Sequence, residues 1–475
     1  LYWGVYDVSE KPTGAFAADY FGGDEDNWDV FAGDWVDGDG DAYAALLGIV
    51  HAGPVSNPVY QRIQGNDPDG SRNPAYPVYF DADSYIDYVL LQMWYGNSGW
   101  IENNICLMRN RDDAESTGFK WCAWNSEEGM ADDGVGGGLH MDMTARPDPT
   151  GLREQLMGND EFRLRFADRV QEHMYDGGAL APDVLVDRYA VLAERLEPAI
   201  VAESARWGDQ DGAAAHTLDE WREERDWIIE TYLPQRGAIV MQPFRDAGFF
   251  PGIDAPVFSR SGGVFTNVFN LTMESAHSVY YTLDGTDPRE YGTGAAVGTL
   301  YSNAIPVTRA VRVKARARGG PSNEWSALRE AVFTPEAPSP IRVTELMYHP
   351  GRPSGGETNV AVGTDDFQFV ELYNTGSNTV GLAGLRFTDG IDFDFEDAAV
   401  DLLGPGEFLL VVKNTAAFTN RYADWGGAVI AGEFQSRHDF PARTLARGGE
   451  RLRIEDGAGR VIVSFGYDNG RDWPL

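Results

Sequence analysis

The chain has 475 residues, too many for one ordinary domain; at roughly 100–200 residues per domain, about three are expected. Hydrophobic residues make up 43% and aromatics 12%, which excludes a disordered polar chain. Acids outnumber bases 74 to 38, a formal net of −36, so nucleic acid and anionic membrane faces are excluded as natural partners.

Such a surface favours solubility, divalent cations and high-salt settings. Lysine is nearly absent, only Lys11, Lys120, Lys314 and Lys413. No apolar run reaches the roughly 18 residues a membrane span needs, and no signal peptide is present. Leu1-Tyr2-Trp3-Gly4-Val5-Tyr6 alternates like a buried strand. The chain therefore reads as starting inside a fold, with a leader lost upstream.

Residues 1–250 mix strands and helices. Asp37-Gly38-Asp39-Gly40-Asp41 resembles the opening of a calcium loop, because alternate aspartates can converge on one hard cation. The glutamate such a loop needs at position 12 is replaced by Gly48. The preferred reading is a glycine turn, with Asp39 or Asp41 capping a helix through Leu47. Asp24-Glu25-Asp26, Asp132-Asp133 and Asp365-Asp366 are acidic loop clusters, read as solvated surface ahead of Ca²⁺ ligands.

Asp83 is expected to cap a helix carrying Tyr85, Ile86, Val89, Leu90, Met93 and Trp94 on one face, and Gly96-Asn97 to end it. A hairpin follows, with strands at 103–108 and 119–124 centred on residue 114. Cys106 and Cys122 are equidistant from that centre and face each other across the ladder, where Cβ atoms lie ~4.5–5.5 Å apart. That is near bridging distance. A disulfide, with the oxidising compartment it implies, and two reduced buried thiols both stay open.

Gly134 to Gly138 form a glycine-rich loop that lacks the Gly-Lys-Ser/Thr ending of a phosphate-binding loop. Helices are predicted over 160–175, from Pro182 as an N1 proline towards Trp207 with a kink at Pro198, from a capping box at Thr217, and over 233–247. Composition shifts at Phe250-Pro251-Gly252. Strand-and-turn text runs to Pro340, with strands over 278–283 and 310–317. Pro335 to Pro340 read as a stiff linker. A third module begins at Ile341, with strands over 341–347, 367–373, 385–388, 408–412, 451–455 and 461–467. Its end reads as cut, so the chain is taken as a segment of something longer. His140, His173 and His216 are read as surface or packing residues, and most of the 13 tryptophans as core.

Several ordered words carry resemblances. Gly4-Val5-Tyr6, Glu10-Lys11-Pro12, Tyr20-Phe21-Gly22-Gly23-Asp24, Asn104 to Asn110, Phe119 to Trp124 and Phe162 to Arg169 together resemble the CotH family of spore-coat-type protein kinases. Tyr280 to Pro288 with Val313 to Ala317 looks like the chitobiase/hexosaminidase C-terminal-type β-sandwich. Thr344 to Pro350 with Phe369 to Asn374 looks like a lamin-tail domain. The resemblances imply a kinase-like α+β domain with a helical C-terminal part over 1–250, its N-terminal part missing. Two all-β immunoglobulin-like sandwiches follow, over 255–335 and 341–475, the second truncated. They also imply an exported, cell-surface setting.

The first resemblance implies ATP-dependent phosphoryl transfer, which needs a carboxylate near the nucleophile and acids for the metal. The family places an aspartate five residues before the asparagine that is Asn104 here, and another directly after the hairpin's last tryptophan. These positions hold Gly99 and Asn125. Glycine accepts no proton, and neutral asparagine is a weak Mg²⁺ ligand. Glu102 and Glu127 are nearby substitutes, and Glu10 is the implied nucleotide-side residue.

Three functions follow. The first is a structural or interaction protein with an inactive kinase-like domain, part of a larger chain or surface assembly. The second is an active secreted kinase using displaced acids, with ATP and Mg²⁺ as cofactors. The third is a carbohydrate- or Ca²⁺-dependent adhesion module.

Overall fold

The computed structural model describes residues 4–6, 9–100, 104–112, 116–124, 126, 128–130, 138–210, 215–361, 363–423, 426, 428–434 and 444–470. The chain divides into two compact units. One comprises Leu1–Asp19 and Asp24–Asp254, the other Ala255–Leu475 with Tyr20–Gly23.

The first unit sets a four-stranded antiparallel sheet beside helices. Its elements are α1 (Gly14–Phe21), β1 (Trp28–Ala32), β2 (Trp35–Asp37), α2 (Asp41–His51), α3 (Asn57–Ile63), α4 (Ala82–Trp94), β3 (Cys106–Asn110) and β4 (Lys120–Cys122), then α5 (Leu152–Leu156), α6 (Asp160–Met174), α7 (Pro182–Trp207), α8 (Leu218–Trp227) and α9 (Leu233–Asp246). The sheet order is β2-β1-β3-β4. Its hairpin register sets Cys106 against Cys122, Leu107 against Trp121 and Met108 against Lys120. Cys106 also faces Ala32 of β1, so β3 is an inner strand and β4 an edge.

The predicted helices form. α4 starts two residues earlier than expected. Asp81, not Asp83, is its N-cap and accepts the Ser84 amide. Asp83 points outward from the first turn to Arg165 of α6. Pro198 lies inside α7 without ending it. α8 and α9 are joined by a π-helical turn, Ile228–Tyr232. The Thr217 capping box is present as the spacing required. Phe162, Phe166 and Val170 of α6 are fully buried, as the helical period demands.

The second unit holds two β-sandwiches. In the first, the main sheet runs in the order 299–300, 278–282, 311–319, 329–335, 263–265, and 324–325 pairs beside 311–319. Leu271, Val307, Val313, Ala315 and Phe333 fill its core. Arg316 is 2% exposed and holds Asp287 of the Asp-Gly-Thr-Asp-Pro turn through both carboxylate oxygens. The second sandwich packs the sheet 341–347, 369–374, 408–412, 429–433 against the sheet 393–394, 386–389, 449–455, 461–468. Val370, Leu372, Leu409, Val411, Leu452 and Ile454 lie between them. A helix, Thr415–Arg421, interrupts the all-β pattern expected here. It forms because Asn414 caps it, accepting the Ala417 amide, and because Phe418 buries its face against Phe369.

Pro335 to Pro340 is tied down at its start. The Arg460 guanidinium donates to the carbonyls of Pro335 and Glu336. Beside it, Arg312 bridges Glu330 of its own sandwich and Glu396 of the next, with Lys314 on the same two carboxylates. The backbones meet closely here: a Cβ added at Gly381 would lie 1.9 Å from the Ala310 carbonyl oxygen.

Candidate functional site: a glycine where an acid is expected

The site is built at the C-terminal end of α4. The last carbonyls of any helix have no partner within it. Here they are taken by α9, whose Arg236 is fully buried and donates to the carbonyls of Met93, Trp94, Leu139 and Met141. The Tyr232 hydroxyl donates to the Tyr95 carbonyl at 2.9 Å. The turn after α4 is fixed from inside as well. Asn97, fully buried, donates to Gln92 Oε1 at 2.8 Å and accepts the Gly99 amide at 3.2 Å.

On this rigid turn the chain meets the hairpin. Asn104 Nδ2 donates to the Gly99 carbonyl at 3.2 Å, and the Tyr88 hydroxyl donates to the Asn104 carbonyl at 3.3 Å. Gly99 and Asn104 are thus brought together. The segment past the hairpin folds back over the same turn. Met130 N donates to the Tyr95 carbonyl at 3.0 Å, and Gly129 lies so close that a Cβ there would sit 1.9 Å from the Tyr95 ring. This approach delivers Glu128. Its Oε2 accepts the Ser98 hydroxyl at 2.6 Å and lies 3.0 Å from the point a Cβ on residue 99 would occupy. Arg146 donates to the Ser98 carbonyl from the other side.

A carboxylate therefore stands at the place left empty by Gly99, but it comes from residue 128. The sequence named Glu102 and Glu127 as substitutes and missed Glu128. No signal in the sequence marks it, since three adjacent positions (Ser126, Glu127, Glu128) differ only in which way the backbone turns. Glu102, Asn125 and Glu127 lie outside the described residues, as do Asp132 and Asp133. Glu10 is exposed ahead of α1.

Next to Asn104 is a small cavity of about 20 Å³, room for about one water, lined by Tyr43, Tyr85, Tyr88, Trp100, Trp121 and Asp148 among others. Burial raises the Tyr43 hydroxyl to about 12 and pushes those of Tyr85 and Tyr88 higher still, so all three remain donors. Asp148 accepts from the Tyr85 hydroxyl at 3.1 Å and from the Thr150 hydroxyl at 2.7 Å. Lys120 is also spoken for: its ammonium lies 2.5 Å from Asp81, both side chains under a tenth exposed.

The aspartates of 37–41 go to separate tasks. Asp37 accepts the Gly14 amide at the start of α1, at 2.8 Å. Asp39 accepts the Asp41 amide at the start of α2, at 2.9 Å. Among the described residues, no group of three or more His, Cys, Asp or Glu side chains converges to hold a metal. Cys106 and Cys122 are free thiols that share a hydrogen bond. That bond, with burial, raises Cys106; the same bond and the Lys120 ammonium lower Cys122.

Three family models match the chain, in order: CotH kinase protein over residues 59–240, chitobiase/β-hexosaminidase C-terminal domain over 261–328, and Lamin Tail Domain over 334–469. The chain is thus a multidomain protein combining these three kinds of module. No curated protein matches it. A solved structure described as a DUF4876 family protein from Bacteroides thetaiotaomicron is 14% identical over 43% of this chain, with a TM-score of 0.16. The match spans 63% of that protein's chain. Among the described residues, no helix is long and apolar enough to cross a membrane.

Proposed function

We propose that the chain belongs to an exported, surface-associated protein in which the CotH-like domain has become a structural or interaction module, carried alongside two β-sandwiches. The observation that carries this reading is the glycine at residue 99. A side chain that takes a proton from the attacking hydroxyl is missing there, and Asn104 spends an amide hydrogen on the Gly99 carbonyl. General-base catalysis of this kind contributes roughly 10²–10⁴-fold in rate. Its loss leaves a kinase-like fold without efficient transfer. The test is phosphoryl transfer from radiolabelled Mg-ATP to the chain itself and to generic acceptor proteins. Incorporation at background level is expected, and time-dependent autophosphorylation would sink the reading.

The position of Glu128 favours a second reading, an active secreted kinase whose acid has moved. Its carboxylate occupies the space of the missing side chain and is oriented by Ser98. If transfer is detected, Glu128→Gln should then reduce it by about 10²-fold or more. Unchanged transfer in Glu128→Gln would remove Glu128 from the mechanism. A Ca²⁺- or sugar-dependent adhesion function has no comparable observation behind it.

A further inference from the structure

The cysteines bear on the same hairpin but call for different chemistry. β3 and β4 pair in a register that sets Cys106 directly against Cys122. Either kind of antiparallel pair holds Cα atoms about 4.5–5.5 Å apart, inside the roughly 4.4–6.8 Å that a disulfide spans. The thiols already touch through a hydrogen bond. Their environments are unequal. Cys106 is 1% exposed on an inner strand, while Cys122 is partly exposed on the edge strand. Lys120, on the same strand, adds positive charge near Cys122.

We infer that Cys106 and Cys122 form a cross-strand disulfide that staples the base of the hairpin, where Asn104 enters the candidate site and the segment bearing Glu128 leaves it. The oxidant is a low-molecular-weight disulfide. The Cys122 thiolate attacks one sulfur of that disulfide and expels the other half as a thiolate. The Cys106 thiol gives its proton to a departing thiolate and attacks the Cys122 sulfur, expelling the second half. Two protein thiols are oxidised, one small disulfide is reduced to two thiols, and no other reactant is needed. The order is set by access, since a small oxidant reaches the edge strand and not the buried sulfur.

The staple adds a covalent tie to the β3–β4 ladder at the point where both segments reach the turn after α4. It is independent of whether the domain transfers phosphate, because the cross-link is read by mass and not by activity.

The experiment incubates the full chain with oxidised glutathione, alkylates it without reductant, and maps the peptides by mass spectrometry. The expected product is a peptide pair joined through Cys106 and Cys122, lacking two hydrogens relative to the reduced chain. Cys106→Ser should instead trap a glutathione adduct on Cys122, whereas Cys122→Ser should leave Cys106 unmodified. The cross-linked chain should melt about 5–10 °C above the reduced one. Quantitative alkylation of both cysteines after the incubation, with no joined peptide, overturns the inference. The unsubstituted chain gives that answer even if a serine variant fails to fold.

Discussion

At the scale of single residues, the site depends on two kinds of exact fit. Gly129 approaches the Tyr95 ring closer than any side chain permits. Gly129→Ala should cost about 1–3 kcal/mol through overpacking and should displace Glu128 from the Ser98 hydroxyl. Urea unfolding gives the first quantity; the second is read by comparing Ser98→Ala in both backgrounds, since the two effects should not add. Arg236 is the other fit. Its guanidinium, wholly buried, supplies hydrogen bonds to four backbone carbonyls from two segments. Arg236→Met keeps much of the volume but strands those acceptors. Each unsatisfied buried acceptor costs about 1–3 kcal/mol, so a loss of at least about 3 kcal/mol is expected in chemical denaturation, larger than a simple truncation on the surface would give.

At the scale of elements, α4 and α6 are laced by charge. Arg165 pairs with Asp83; Arg169 and His173 pair with Asp87, and Glu172 lies on the Arg169 side. Burial pushes both carboxyls up, but the facing guanidinium groups and His173 outweigh it, and both end below their ordinary 3.8. Acids lowered in the folded state contribute stability that is present above the unfolded value and lost as pH falls through the folded one. The first unit should therefore weaken as pH drops below about 4. Asp83→Asn with Asp87→Asn should flatten that acid limb in a series of thermal melts at decreasing pH. The effect is modest, because the two side chains are 44% and 36% exposed and solvent screens the pairs. In the second unit, Gln368 plays the joining role. Fully buried, it donates to the carbonyls of Tyr348 and Leu445 and accepts the Leu445 amide, linking segments far apart in sequence.

At the scale of the whole molecule, two properties stand out. The first is charge: a net of −36 repels itself at low ionic strength. Raising NaCl from about 0.02 to 0.5 M shortens the screening length from tens of ångströms to a few, so melting temperature should rise with salt. A flat or falling profile would mean that local ion pairs outweigh the long-range field. The second is the join between the two β-sandwiches. Arg312, Lys314, Glu330 and Glu396 cross it, and Arg460 clasps the connecting strand. Arg312→Ala with Glu396→Ala should show coupling of about 0.5–3 kcal/mol in a double-mutant cycle. Coupling near zero would mean that the proline linker alone sets the arrangement.

Much of this was legible in the sequence. The order of the modules was implied by the resemblances; the capping box at Thr217, the N1 proline of α7 and the hairpin centred on residue 114 are local, written in periodicity and spacing within about twenty residues. So was the absence of an acid at residue 99. Asp81 and Asp83 are equally good capping residues in the sequence, and tertiary partners distinguish them: Lys120 for Asp81 and Arg165 for Asp83. The helix at Thr415 was missed because a seven-residue element leaves too short a pattern. What occupies the gap at Gly99 was not legible at all. The Ser98 to Glu128 contact spans 30 residues and the Arg236 to Trp94 contact 142. Contacts at such separations are set by how elements pack and leave no periodic trace in the chain. The sequence by itself determined that this domain lacks a carboxylate at residue 99. Only the tertiary structure placed one beside it, because the close approach of Gly129 to Tyr95 turns a neighbouring segment, and Glu128 with it, back over the turn.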